Sequence, residues 1–545
     1  MDAEALLITF LIFLTIAVLV AYAATRLRIP YTIAMVLVGL GASILHFRSE
    51  LHLTIELEPE MILLIFLPGL LFEASYHIDL SLLRPNLRAI LLLAIPGVLI
   101  STTVVGLILG VGLGLPLATA LLFGVIISAT DPVAVVALFK DLGVDRRLGI
   151  VVEGESLFND GVAIVGYSLL IGIAAGTTAF SLTDSVVNFF VTVAGGAMLG
   201  LVLGFLFAEL MKRTDNPLLD IALTTILAYG TYLLAENGLH GLLSPVIAVV
   251  VAGIVVGNYG SRGGHSATST TMIVTFWEFA VFLINSAVFL LIGLEVDTGL
   301  LLDNIGPVLL AIGAVLVARA IVVYGLRWVI NRKPPAMPMS WSHVTFWGGM
   351  RGAVAVALVL SLPAALESRQ ELVALVFGCV LFSVIVQGLT IRPLLSRLGL
   401  TRRSDKELEF EEALVRVVAA QAASDAMDRL RSDHLLSKPM ADRMQERFED
   451  WIEARSLHLY RLVAEDPSLG EANMVLMLRE IGGSQKQALQ RLLRQGSISE
   501  EVFSEAMRQV DEQMSDPSQM AWFLSAELNE GLGKVPPEET AASET

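Results

Sequence analysis

Thirteen apolar runs, each bounded by charges, Pro or Gly, follow one another along the first 400 residues. They lie near 5–24, 30–46, 61–76, 88–112, 116–139, 148–175, 184–209, 218–236, 242–258, 271–294, 305–329, 342–362 and 371–394. About 20 apolar residues in an α-helix cross the hydrocarbon core of a bilayer. The pattern therefore predicts an all-α polytopic membrane protein with 13 transmembrane helices. Positive charge tests this count. With loops alternating between sides, fifteen Lys and Arg of residues 1–400 gather on one side. Only Arg48 and Arg369 fall on the other, while Arg319 and Arg351 lie within spans. Basic residues favour the cytoplasmic side, which predicts an N-terminus outside and a cytoplasmic C-terminus. The first run ends in Ala-Tyr-Ala-Ala, like a cleavage site, but acidic Asp2 and Glu4 stand where a signal peptide is basic. It reads as a retained helix.

Two runs are interrupted. The fifth contains Thr130-Asp131-Pro132, and proline removes a backbone donor and disfavours helix at the preceding residue. The twelfth contains Gly348-Gly349-Met350-Arg351-Gly352. Seven spans apart, the two run in opposite directions. This is the arrangement of two inverted six-helix repeats, spans 1–6 and 8–13, with the seventh as connector. Paired interruptions in corresponding halves point to the binding site of a secondary transporter.

Composition agrees with a membrane body. The 545 residues are 55% hydrophobic and 16% charged, against about 25% charged in soluble domains. The net charge of −17 is uneven: residues 401–545 hold 17 Lys and Arg against 28 Asp and Glu. The domains expected are thus a transmembrane exchange domain (1–400), a helical cytoplasmic tail (401–529) and a disordered end (530–545). Within the tail, Ala-, Leu-, Glu- and Arg-rich periodicity predicts helix over 404–463, with further helices near 470–495 and 498–514. Nothing is basic enough for nucleic acid. The single cysteine, Cys379, excludes an intrachain disulfide and a CxxC metal site. There is no nucleophile–base pair or His cluster, so neither enzyme chemistry nor a resident cofactor is expected.

The candidate chemistry lies in two apolar runs. An ionised group at bilayer depth costs roughly 2.5–3.5 kcal/mol on insertion scales and is by default functional. Asp131 is one such group. The other is Asp160, in Glu153-Gly154-Glu155-Ser156-Leu157-Phe158-Asn159-Asp160. Residues i and i+4 share a helix face, which sets Ser156 with Asp160 and Glu155 with Asn159. Hard cations take oxygen ligands. Asp131, Ser156 and Asp160 are the expected Na+ ligands, with the freed Thr130 carbonyl and Asn159 beside them. Burial favours a neutral carboxyl and a nearby cation a charged one, so protons and Na+ compete for the same groups. Arg351 needs a partner at this depth, and Glu155 is the candidate, as a pair bracing the sixth and twelfth spans. Arg319 has no assigned partner. Glu73 reads as a solvated residue at the cytoplasmic mouth. Glu278 and Asn285 read as helix-packing contacts.

At these residues a resemblance becomes specific. ATDPVAVVALFKDLG, EGESLFNDGVAIV, FWEFAVFLINSAVFLLIGLE and WGGMRGAVAVAL, in this order, resemble the NhaP-type cation:proton antiporter family. Animal sodium/proton exchangers and plant salt-tolerance antiporters are relatives. The resemblance covers most of 1–400. It implies an ion site of Thr130, Asp131, Ser156 and Asp160, an Asn159-Asp160 pair on the sixth helix, and Glu155 with Arg351 as the bracing pair. It also implies a homodimer with a moving core that carries crossed broken helices. FLPGLLFEAS looks like the amiloride-region motif of animal exchangers but has Pro-Gly in place of Pro-Pro. Electrogenic relatives carry Asp-Asp at the pair. Asn159 here leaves one fewer titratable group, and 1:1 electroneutral exchange is the expectation.

The function expected is sodium:proton antiport in the plasma membrane, among membrane lipids, serving pH and Na+ homeostasis. Potassium:proton exchange stays open, and Li+ is possible as cargo. A cation channel with a regulatory tail is an alternative of another class, but it needs a repeated filter that the sequence lacks. A membrane receptor is a third alternative, in which Asp131 and Asp160 need not titrate. The tail regulates transport, strengthens the dimer or is a passive cytoplasmic cap, and no partner for it is legible.

Overall fold

The computed structural model describes residues 3–27, 29–45, 59–176, 182–214, 216–238, 242–260, 267–401, 405–432 and scattered positions beyond. The chain divides into two compact units, Met1–Arg402 and Arg403–Thr545.

The first unit is built of helices, with no strand among the described residues. In chain order they are α1 (Ala3–Leu27), α2 (Tyr31–Ile44), α3 (Met61–His77), α4 (Leu80–Leu113), α5 (Leu117–Ser128) and α6 (Val133–Leu142). Next come α7 (Arg146–Ala174), α8 (Leu182–Met211), α9 (Pro217–Asn237), α10 (Pro245–Tyr259), α11 (Ala267–Glu295) and the short α12 (Thr298–Asp303). The last are α13 (Ile305–Ile330), α14 (Met339–Trp347), α15 (Ala353–Leu360) and α16 (Arg369–Arg397). Eight segments are long and apolar enough to cross a membrane, one of them Leu117–Leu142 with its interruption; four shorter apolar helices accompany them.

Local chemistry sets the ends. Asp79 Oδ1 accepts from Ser81 N–H at 2.8 Å and starts α4 at Leu80, ahead of the expected residue 88. A first-turn donor needs a cap, and Asp79 supplies one upstream of Arg84-Pro85, where the apolar pattern fails. Gly114 (φ 69°) and Gly143 (φ 63°) end α4 and α6 in the left-handed conformation that glycine adopts without a Cβ clash. Asp145 Oδ1 accepts from Arg147 N–H at 2.8 Å and opens α7. The first turn of α3, Met61–Phe66, is a π-helix ahead of Pro68. Tyr229 Oη donates to Ile65 O at 3.0 Å in this widened turn.

Packing follows small residues. Helix α2 lies along α11, and two glycines set the distance. A Cβ at Gly39 would collide with Leu290 O, and one at Gly293 would collide with Val36 O. Close backbone approach through small residues replaces the hydrophobic drive that lipid removes. Helix α4 packs on α5, α7 and α13, and α10 on α8, α9 and α3.

In the second unit, α17 (Asp405–Ser432) buries Phe410 and Ala413 with Leu462, and Leu414 and Val417 flank them. This is the i, i+3, i+4, i+7 stripe of an amphipathic helix. The helices expected near 470–495 and 498–514 lie almost wholly outside the described residues, and the expected disordered end, 530–545, lies entirely outside them.

Gly293→Leu is expected to overpack the α2–α11 contact and destabilise by about 1–3 kcal/mol, read as a lower melting temperature in detergent. Gly41→Leu has open space around its Cβ and should leave the melting temperature unchanged.

Candidate functional site: two broken helices and a carboxylate cavity

Both predicted interruptions are real, and they touch. Helix α5 stops at Ser128, Ala129 is extended (φ −56°, ψ 131°), and α6 begins at Val133. Helix α14 stops at Trp347, and α15 begins at Ala353 after Gly352 (φ −148°, ψ −143°). Asp131 N–H donates to Met350 O at 2.8 Å, so one break is hydrogen-bonded to the other. A Cβ at Gly352 would collide with the Asp131 carboxylate. Only glycine permits the crossing at this point.

Three side chains hold the first break. Asn159 Nδ2 donates to Thr130 Oγ1 at 2.7 Å, and Asn159 Oδ1 accepts from Thr130 N–H at 3.2 Å. Ser156 Oγ donates to Thr130 O. Ser156 and Asn159, one turn apart on α7, thus take up every polar group of Thr130. Asp131 Oδ1 accepts from Val133 N–H at 3.0 Å and caps the start of α6. The Thr130 carbonyl, expected to be free for a cation, already accepts the Ser156 hydroxyl. Ser156 has spent its proton there, and its lone pairs remain.

Asp160 is different. It is 7% exposed, and its Oδ1 has no hydrogen-bond partner. Asp160, Asp131, Ser156 and Thr130 line one cavity of about 70 Å³. One water needs about 10–15 Å³ by this measure, so a partly hydrated cation fits. Asn285 of α11 lines the same cavity, whereas Glu278, with which sequence reasoning grouped it, is exposed. Seven residues is about two helical turns, which gave no warning that Asn285 faces the acids. Leu67, Leu71 and Ala74 of α3 form the apolar wall. Glu73, the expected mouth residue, sits beside His77, with His77 Nδ1 3.4 Å from Glu73 Oε1.

The bracing pair requires a correction. Glu155 is paired with Arg319 and not with Arg351. Arg319 Nη2 donates to Glu155 Oε2 at 2.9 Å, and Nη1 donates to Oε1. Arg319 Nη2 also donates to Thr345 O at 2.8 Å. The reason is geometric: α13 brings Arg319 alongside the second break, where the bare Gly349 makes room. A Cβ there would lie 2.7 Å from Arg319 Nε. Arg351 turns the other way. Its Nη1 donates to Ser128 O at 2.8 Å and to Ala129 O at 3.3 Å. It neutralises the carbonyl end of α5, where the helix dipole is negative. Ser383 Oγ accepts from Arg351 N–H at 3.0 Å. The two guanidiniums line a cavity of about 10 Å³, roughly one water.

This geometry defines a class: an α-helical membrane protein with two mutually bonded broken helices beside a cavity lined by two carboxylates, the form of a secondary transporter's ion site. Comparison with known proteins narrows the class. Residues 12–397 match the family "Sodium/hydrogen exchanger, transmembrane", and the chain belongs to that family. It is 44% identical to the Na(+)/H(+) antiporter ApNhaP of Aphanothece halophytica over 418 residues, 76% of this chain and 78% of the relative. It is 37% identical to the low-affinity Na(+)/H(+) antiporter NhaS1 of Synechocystis over 530 residues, 95% of this chain and 98% of the relative. It is 33% identical to sodium/hydrogen exchanger 7 of Arabidopsis thaliana over 355 residues, 61% of this chain and 30% of the relative. The fold resembles the solved sodium proton antiporter MjNhaP1 of Methanocaldococcus jannaschii, with TM-score 0.60 and 22% identity, covering 72% of this chain and 98% of that one.

Arg319→Leu strands Glu155 without a counter-charge and is expected to cost about 3–5 kcal/mol, read as loss of monodisperse protein and a lower melting temperature. Adding Glu155→Gln should recover most of the loss. The same addition to Arg351→Leu should recover none, because Arg351 holds carbonyls and not Glu155.

Proposed function

We propose that the chain is a secondary-active sodium:proton antiporter of the plasma membrane, working by alternating access. The observation that carries this reading is the Asp160 carboxylate, buried with Oδ1 unpartnered and sharing one cavity with Asp131 and Ser156. An unpartnered buried carboxylate binds either a proton or a cation, and a site that holds one or the other exchanges them. The names of the relatives support Na+ as cargo, with Asp131, Ser156 and Asp160 as its ligands. K+ and Li+ are the competing cations.

Asn159 acts by holding Thr130 at the break. It carries no titratable group, which supports one proton for one Na+ and an electroneutral cycle. A net charge moved would respond to voltage by about 2.3 kcal/mol per 100 mV. In this reading 13 spans form two inverted six-helix repeats, the N-terminus is outside, the C-terminal unit is cytoplasmic and two copies form a dimer. The crossed breaks move together as one body between the two faces.

In liposomes carrying the full chain, an imposed Na+ gradient should drive proton flux into a pH dye. That flux should be unchanged when K+ and valinomycin clamp the voltage. Asp160→Asn should reduce it to the level of protein-free liposomes. Proton flux driven by K+ but not Na+ would reassign the cargo. Normal flux in Asp160→Asn would remove the carboxylate from the mechanism.

A further inference from the structure

The turn joining α13 to α14 is ringed by fixed cations. Arg88 Nη2 of α4 donates to Val329 O at 2.9 Å, Arg147 Nη2 of α7 to Ala336 O at 3.2 Å, and Arg327 Nε to Met337 O at 3.2 Å. Asn331 locks the turn: its Oδ1 accepts from Met337 N–H at 2.8 Å, and its Nδ2 donates to Met337 O at 3.1 Å. Arg147 also donates from Nε to Asn86 Oδ1 at 2.8 Å and lies over Trp341. Arg332 stacks on Trp328, with its guanidinium carbon 3.7 Å from the ring centroid. Lys333 follows it, exposed.

Every acceptor in this ring is neutral. Among the described residues Arg88, Arg147, Arg327, Arg332 and Lys333 form no ion pair. Asp145, two residues from Arg147, spends Oδ1 on capping α7. The basic loop after α8 differs, since Lys212 and Arg213 both pair with Glu209, at 3.9 and 3.2 Å. A bias of positive charge toward one membrane face accounts for both loops carrying cations. It does not account for one being neutralised and the other held open. Arg88 Nη1 is moreover buried with no partner, a donor left without an acceptor.

We propose that this cluster binds the phosphate of an anionic phospholipid headgroup. Guanidiniums present paired donors that match phosphate oxygens, and basic pockets between membrane helices suit acidic headgroups. The surroundings favour a lipid over a free anion. Val317, Ile321 and Trp328 are 49%, 47% and 66% exposed, and at i, i+4 and i+11 they share one face of α13. That apolar strip leads to the cations and is a track for an acyl chain. Trp328 stands at its end, with the amphipathic ring that membrane interfaces favour. The ligand ties α4, α7 and α13 together at the end of the bundle.

The test uses the full chain in detergent. Thermal melting is measured with phosphatidylglycerol, with phosphatidylcholine of the same chains, and with millimolar inorganic phosphate; bound lipid is counted by native mass spectrometry. Phosphatidylglycerol should raise the melting temperature by several degrees over phosphatidylcholine and form specific adducts. The exposed pair of substitutions Arg332→Gln and Lys333→Gln should cut adducts at least fivefold and abolish the rise, with the phosphatidylcholine melting temperature unchanged. Lys212→Gln with Arg213→Gln should change neither. Equal stabilisation by inorganic phosphate would make this a free-anion site and overturn the lipid assignment. Undiminished phosphatidylglycerol binding in the Arg332/Lys333 variant would overturn the location. None of these readings depends on transport.

Discussion

A helix broken at membrane depth frees amides and carbonyls that lipid cannot satisfy, so such a break persists only where protein supplies their partners. Here the two breaks supply each other. Asp131 N–H bonds to Met350 O, and Arg351 of the second break covers Ser128 O and Ala129 O of the first. Ser156 and Asn159 take the polar groups of Thr130. These bonds hold the crossing, and the Asp160 Oδ1 they leave without a partner faces a cavity that Asp131 also lines.

Charge is apportioned by the same geometry. Glu155 and Arg319 neutralise each other inside the body. Arg351 is spent on carbonyl ends, which places a positive group near the Asp160 carboxylate without bonding it. Two acids therefore line the cavity while the nearby guanidinium is held back by its carbonyls. An amide at Asn159 does the bridging without adding charge. The cavity acids and the structural brace thus share helix α7, on different faces: Ser156 and Asp160 toward the cavity, Glu155 toward α13.

Much of this was legible in the chain. Runs of about twenty apolar residues can only be helices in a bilayer. Pro132 and the glycines around Arg351 announce the interruptions because both residue types disturb helical geometry. The i, i+4 rule put Ser156 on the face of Asp160, as found. Other features were not legible. The start of α4 lies in a polar stretch where hydropathy is silent and a cap decides. Asn285 sits among apolar residues whose pattern is the same toward a neighbour helix as toward a cavity.

Glu155 finds its partner across the fold and not along the chain. Periodicity is a property of one helix, and from it the chain by itself determines the membrane class, the places of the breaks and the candidate acids. Which of two buried arginines meets a given carboxylate depends on the approach of separate helices. Glu155 and Arg319 are 164 residues apart, and no local spacing relates them. The bare Gly349 opens the space that Arg319 enters, and the carbonyls of Ser128 and Ala129 draw Arg351 away. Tertiary packing alone decided that exchange of partners, because a buried guanidinium takes whichever acceptors the crossing places within hydrogen-bond reach.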